Sequence, residues 1–185
     1  MSRRITKPVY LGKQKVGGTA PISVQSMTKT DTRDIKSTVN QIKELEEYGC
    51  EIIRCAVPDM EAAKALKEIK KSINIPLVAD IHFHHELALE SIRSGVDCLR
   101  LNPGNIRDSQ KVKEVVTLAK ERDIPIRIGV NFGSLPPVGQ IGQTRSASRG
   151  KDGVNLLPKS SKIDSNSYTA VDHMVDTALW EIGIL

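Results

Sequence analysis

Strand-like and helix-like stretches alternate without a break along most of this chain, and that alternation limits its possible folds more than any other property. Ile22 to Met27 predicts a short strand. From Asp34 to Tyr48, Ile35, Val39, Ile42 and Leu45 recur on one helical face, and Gly49 supplies a helix-ending residue. Ile52 to Val57 predicts the next strand, after which Asp59 caps a helix whose Met60, Ala63, Leu66 and Ile69 form a second stripe. Leu77 to Phe83 is a third strand, and Glu86 to Ser94 a short helix closed by Gly95. Cys98 to Asn102 is a fourth strand. Asp108 or Ser109 then caps a helix carrying Val112, Val115, Val116 and Ala119. Ile126 to Asn131 predicts a fifth strand. A last amphipathic helix from Tyr168 to Glu181 lines up Val171, Met174, Val175, Ala178 and Ile182.

Five strand–helix units of about 25 residues each imply an α/β fold with a parallel sheet covered by helices. A weak internal repeat supports short, similar units: Gly49-Cys50-Glu51-Ile52-Ile53-Arg54 echoes Gly95-Val96-Asp97-Cys98-Leu99-Arg100, and Ile75-Pro76 and Ile124-Pro125 each introduce a strand. Such units fit a parallel (β/α)8 TIM barrel better than a doubly wound sheet, and no glycine-rich dinucleotide fingerprint follows the first strand. A complete barrel takes about 250 residues. Residues 1–185 are therefore expected to be the N-terminal part of a TIM-barrel substrate-binding domain, an incomplete barrel with two unpaired edge strands. Residues 136–167, rich in Gly, Ser, Lys and Pro, interrupt the fifth unit as a long loop. That loop is either a surface excursion or a lid carrying Arg145, Arg149 and Lys151.

Composition excludes several alternatives. A hydrophobic fraction of 39% against 26% charged residues supports a packed core. No apolar run reaches the roughly 20 residues of a membrane span, and the basic start lacks a secretory core segment, so a cytoplasmic protein is expected. The net charge of +5 suits an anionic partner. With 3% aromatic residues and scattered basic ones, a phosphorylated small molecule is a better candidate than nucleic acid. Cys50, Cys55 and Cys98 are spaced like neither a zinc site nor a disulfide framework and read as buried thiols.

The chemistry is written where polar residues fall on the strands. Residues two apart in a strand share a side, so Asp80 and His82 share one side at the end of the third strand, Arg100 and Asn102 on the fourth, and Arg127 and Asn131 on the fifth, with Arg54 placed similarly on the second. In a parallel barrel these tips converge where active sites are built. Guanidinium forks match phosphate oxygens in bidentate fashion, so three arginines around one Asp and one His suggest a polyanion pocket. The competing reading pairs the arginines with Glu51 and Asp97 as rim ion pairs. Asp80 and His82 are catalytic candidates, as an acid–base pair or as partners of substrate hydroxyls. His82, His84 and His85 also admit a metal reading, against which no other ligand cluster stands nearby; His173 reads as a helix-surface residue. The turns Asn102-Pro103-Gly104-Asn105 and Asn131-Phe132-Gly133-Ser134 could cradle phosphate through backbone amides.

Five segments in order carry a family resemblance: Val24-Gln25-Ser26-Met27-Thr28, Ile53-Arg54-Cys55-Ala56-Val57-Pro58, Ala79-Asp80-Ile81-His82-Phe83, Leu99-Arg100-Leu101-Asn102-Pro103-Gly104-Asn105 and Ile126-Arg127-Ile128-Gly129-Val130-Asn131. Together they resemble the 4-hydroxy-3-methylbut-2-en-1-yl diphosphate synthase family of isoprenoid biosynthesis, from Ile5 to Leu135 and again in the final helix. The resemblance implies a reductive ring opening and dehydration of 2-C-methyl-D-erythritol 2,4-cyclodiphosphate, with a barrel binding the substrate. It also implies a separate C-terminal domain holding a [4Fe-4S] cluster, electrons from reduced ferredoxin or flavodoxin, and a homodimer. By position, Arg54, Arg100 and Arg127 would hold the diphosphate, with Asp80, His82, Asn102 and Asn131 near the substrate. The family's cluster ligands, three cysteines and a glutamate, match nothing in this chain, so the iron–sulfur domain is expected to be absent and the chain alone inactive. The alternatives are another phosphoester-binding barrel enzyme, similar to the pterin synthases, and a non-catalytic anion-binding fragment.

Overall fold

The computed structural model describes residues 4–82, 84–101, 109–130 and 170–182. A two-stranded antiparallel hairpin, β1 (Val9–Leu11) and β2 (Gln14–Val16), precedes a five-stranded parallel sheet. The sheet consists of β3 (Gln25–Met27), β4 (Ile52–Val57), β5 (Leu77–Ile81), β6 (Cys98–Leu101) and β7 (Ile126–Ile128). The helices are α1 (Ile35–Glu47), α2 (Met60–Lys71), α3 (His85–Arg93), α4 (Ser109–Glu121) and α5 (Ala170–Ile182).

Spatial order follows sequence order, from β3 to β7, with every pair parallel. A doubly wound sheet reverses direction at a switch point; a barrel does not. Helices also stack in sequence, α1 on α2, α2 on α3 and α3 on α4. Their apolar stripes bury Ile53, Cys55, Val57, Leu77, Ala79, Ile81, Leu99 and Leu101, which all project from one face of the sheet. The opposite, inward face is covered near its N-terminal end by the hairpin, where Leu11 and Val16 pack on Ile52, Val78 and Cys98. The arrangement is a barrel wall that is not closed among the described residues, matching the sequence expectation in class and direction.

Local signals explain the boundaries. Asp34 caps α1 by accepting from the Ser37 amide at 3.0 Å, and Asp59 caps α2 through the Ala62 amide at 2.9 Å. Gly49 and Gly95 follow α1 and α3 with φ of +90° and +87°, the left-handed turn that sends each chain into its next strand. Several expectations are corrected. The first sheet strand begins at Gln25, leaving Ile22 at 83% exposure outside the ladder, and α3 begins at His85 and ends at Arg93. Met60, in the first turn of α2, is exposed, while Ala62 and Ala65 are buried instead. On α5, Val175 and Ile182 are exposed, while Thr177 is buried between the half-buried Met174 and Ala178, so only part of the expected face is covered. Asp108, Asn102, Asn131 and residues 136–167 lie outside the described residues. No described helix is long and apolar enough to cross a membrane.

Candidate active site

Parallel register decides which side chains meet. Asp80 is level with Arg100, and Arg100 with Arg127. Arg54 is level with Val78, and Val78 with Cys98, two residues before Arg100. A barrel with a shear of eight over eight strands advances by about one residue per strand. Two strands therefore restore Arg54 to the height of Arg100, which is where the internal repeat also puts them. The tilt of the strands, invisible in the repeat itself, is what brings the two guanidinium groups to a common layer.

At the centre of that layer lies Asp80, only 2% exposed. Its Oδ1 accepts from Arg100 Nη1 at 2.9 Å and lies 3.3 Å from His82 Nε2. Its Oδ2 is 3.4 Å from Arg54 Nε. Arg100 is itself 9% exposed, so Asp80 and Arg100 form a buried charge pair, whereas Arg54 and His82 are partly open to solvent. Arg54 also directs Nε and Nη2 to the Met27 sulfur at 3.3 and 3.2 Å. The expected residues Arg54, His82 and Arg100 thus all converge on Asp80. Arg127 is not among them: Nη1 donates to Gln25 Oε1 on β3, and its guanidinium approaches the Cys98 thiol. It lines a largely apolar cavity of about 470 Å³ with Leu11, Val16, Ile52 and Cys98, nearer the hairpin.

The acid that Arg54 and Arg100 pair with is Asp80; Glu51 and Asp97 are engaged elsewhere. Glu51 accepts from Gln14 and from the Val24 amide, and Asp97 from Lys70 and the Leu77 amide. Histidines diverge as well: His82 faces Asp80, while His85 lies against Glu86 and Glu114 between α3 and α4. Among the described residues no group of three or more potential ligands is placed to hold a metal ion. Neither do the cysteines fit an iron–sulfur cluster. Cys55 faces the helices and Cys98 faces inward, so the two thiols project from opposite faces of the sheet and do not converge on one cluster. Cys50 donates to its neighbour's carbonyl, that of Ile52, at 3.1 Å.

Two contributors carry no charge and so no signal in the sequence: Met27 and Gln25. They do stand two residues apart in the quoted segment Val24–Thr28, the same alternation that marked the charged residues.

Comparison with known proteins identifies the family. The chain matches the GcpE TIM-barrel domain family over residues 6–182. A relative from Dehalococcoides mccartyi, named 4-hydroxy-3-methylbut-2-en-1-yl diphosphate synthase (flavodoxin), is 66% identical over 136 residues, covering 74% of this chain and 39% of its own. One of the same name from Thermodesulfovibrio yellowstonii is 63% identical over 136 residues, again 74% of this chain and 39% of its own. Another, from Symbiobacterium thermophilum, is 45% identical over 185 residues, 100% of this chain and 44% of its own. The chain therefore spans well under half the length of these relatives.

Proposed function

The chain belongs to the GcpE TIM-barrel domain family, and from that premise we propose that it supplies the substrate-binding barrel of a 4-hydroxy-3-methylbut-2-en-1-yl diphosphate synthase. Its substrate would be 2-C-methyl-D-erythritol 2,4-cyclodiphosphate. The complete enzyme would open the ring reductively and expel water, with the electrons drawn from flavodoxin or ferredoxin through a [4Fe-4S] cluster. This chain's cysteines do not suit that cluster, so its own task is to bind and orient. Asn102 and Asn131, by their place after two strands, would contact the substrate, and a homodimer would complete the site.

The observation that carries the reading is a surplus of positive charge at one buried carboxylate. Asp80 meets two guanidinium groups, Arg54 and Arg100, and compensates only one of them. Arg54 is the more open of the two, and its remaining positive field is offered to an anion in the barrel interior, where screening is weak. Arg127 stands one strand further along, at the same register level as Arg100.

Titration calorimetry with the cyclic diphosphate tests this. Replacing Arg54, Arg100 or Arg127 by Ala should each weaken binding roughly ten- to hundredfold, the worth of one charge-assisted contact. Arg→Lys should recover only part, because an ammonium keeps the charge and loses the fork. Three alanine variants with unaltered affinity would remove the anion site and leave the family match without its binding mechanism.

A further inference from the structure

We infer that Gly129 is a positioning residue for the anion site, present because the Nε–Nη2 edge of the Arg100 guanidinium occupies the space a Cβ would need. This rests on the diphosphate reading above and adds a residue to it. A Cβ built at Gly129 would stand 2.5 Å from Arg100 Cζ and closer still to Nε and Nη2. All three of the atoms it would meet first belong to that one guanidinium. The Gly129 backbone is not in the left-handed region, and its amide donates to the Leu101 carbonyl at 2.8 Å, as any residue's would. Neither turn geometry nor chain reversal therefore calls for glycine here. A glycine at the end of a strand often marks the close approach of another group.

The consequence is geometric. Arg100 is anchored on β6 and reaches Asp80 on β5 with Nη1, while its Nε and Nη2 edge faces Gly129, the residue after β7. The guanidinium plane is thereby held between Asp80 and Gly129. Any side chain at Gly129 must displace it, and Arg100 is too buried to swing aside without loosening its hold on Asp80. Gly129→Ala should act on the anion site through Arg100 and through nothing else.

The test is a double-mutant cycle with inorganic diphosphate as the probe, read by calorimetry on wild type, Gly129→Ala, Arg100→Ala and the double variant. Gly129→Ala is expected to weaken binding about tenfold or more, and the double variant to bind no worse than Arg100→Ala. Wild-type affinity in Gly129→Ala, or costs that add in full, would overturn the inference and leave the diphosphate site standing. A ligand-free readout separates the two ideas further: the Arg100 Nε–H resonance, assigned by its loss in Arg100→Ala, should shift and exchange faster with solvent in Gly129→Ala. If wild type itself fails to bind diphosphate, the proposed function falls, and this resonance alone decides; an unmoved signal refutes the role of Gly129. Should Gly129→Ala not fold, adding Arg100→Lys, which has no planar group to clash, is expected to restore folding. Failure of that rescue would place the clash elsewhere and also refute the inference.

Discussion

Removing the Asp80 carboxylate is the sharpest perturbation of this structure. Asp80→Ala leaves Arg100, 9% exposed, with its charge buried and its main acceptor gone. Breaking a buried pair from one side costs about 3–5 kcal/mol. Arg54 adds little to that sum, because its side chain is 32% exposed and water replaces the lost partner. For a chain of this size each kcal/mol lowers the melting temperature by about 2–4 °C, so the midpoint should fall by about 6–20 °C. Asp80→Asn keeps an oxygen facing Arg100 Nη1 and should lose less, about 1.5–3 kcal/mol, the difference between a charged acceptor and its loss. Calorimetric melting with urea titration measures both. The reasoning has a second arm: Asp80→Ala combined with Arg100→Met removes the stranded charge and should be more stable than Asp80→Ala alone. A single-variant loss below about 1 kcal/mol, or a double variant no better than the single, would show that Asp80 and Arg100 do not behave as a buried pair.

Two further outcomes are expected. Burial pushes the Cys55 and Cys98 thiols up to about 11, with the Thr28 hydroxyl and Arg127 respectively opposing the shift. Because the native thiols keep protons that the unfolded chain has lost, stability should fall as pH rises from about 9 to 11, by about 2–3 kcal/mol per thiol; denaturant midpoints measured across that range should show it, with a shallower fall in Cys55→Ala. At the hairpin turn, Gly12 has φ +53° and a Cβ there would stand 2.5 Å from Asp97 Oδ1, so Gly12→Ala should cost about 1–2 kcal/mol and speed hydrogen exchange at β1 and β2. Unchanged exchange would mean that the turn is not seated on Asp97.

The parallel sheet was legible because its strands announce themselves twice, by apolar runs and by flanking turn residues. Ile52–Val57 shows this best: predicted and observed limits coincide, since Gly49 and Pro58 bracket a run buried on one side by helices. The hairpin was not read. Val9–Leu11 and Gln14–Val16 are only three residues each, too short for periodicity, and only Gly12 between them hinted at a two-residue turn. On α5 the apolar residues are spread around the helix, so spacing alone included Val175 and Ile182, which stay exposed, and left out Thr177, which is buried. At the site, alternation along strands identified Arg54, Asp80, His82 and Arg100 together. It could not show that Arg127 points elsewhere, because direction along a strand depends on the neighbours a side chain meets and not on its own position.

Those neighbours give the divergence of Arg127 a cause. Arg100 and Arg127 are direct cross-strand partners, and like charges placed opposite each other are destabilising. The two guanidinium groups point apart: Arg100 meets Asp80, and Arg127 reaches across the inward face to Gln25. The partners they find differ in kind. A carboxylate holds Arg100 firmly, whereas a neutral amide holds Arg127 by a hydrogen bond without charge compensation. Arg127 is therefore the easier of the two to redirect, and an anion seated between the strands would remove the repulsion that drives it away. On this argument Gln25 acts as the resting partner of Arg127. In the proposed anion site, Arg54 and Arg100 would already meet at Asp80, and Arg127 would have to leave Gln25 to join them.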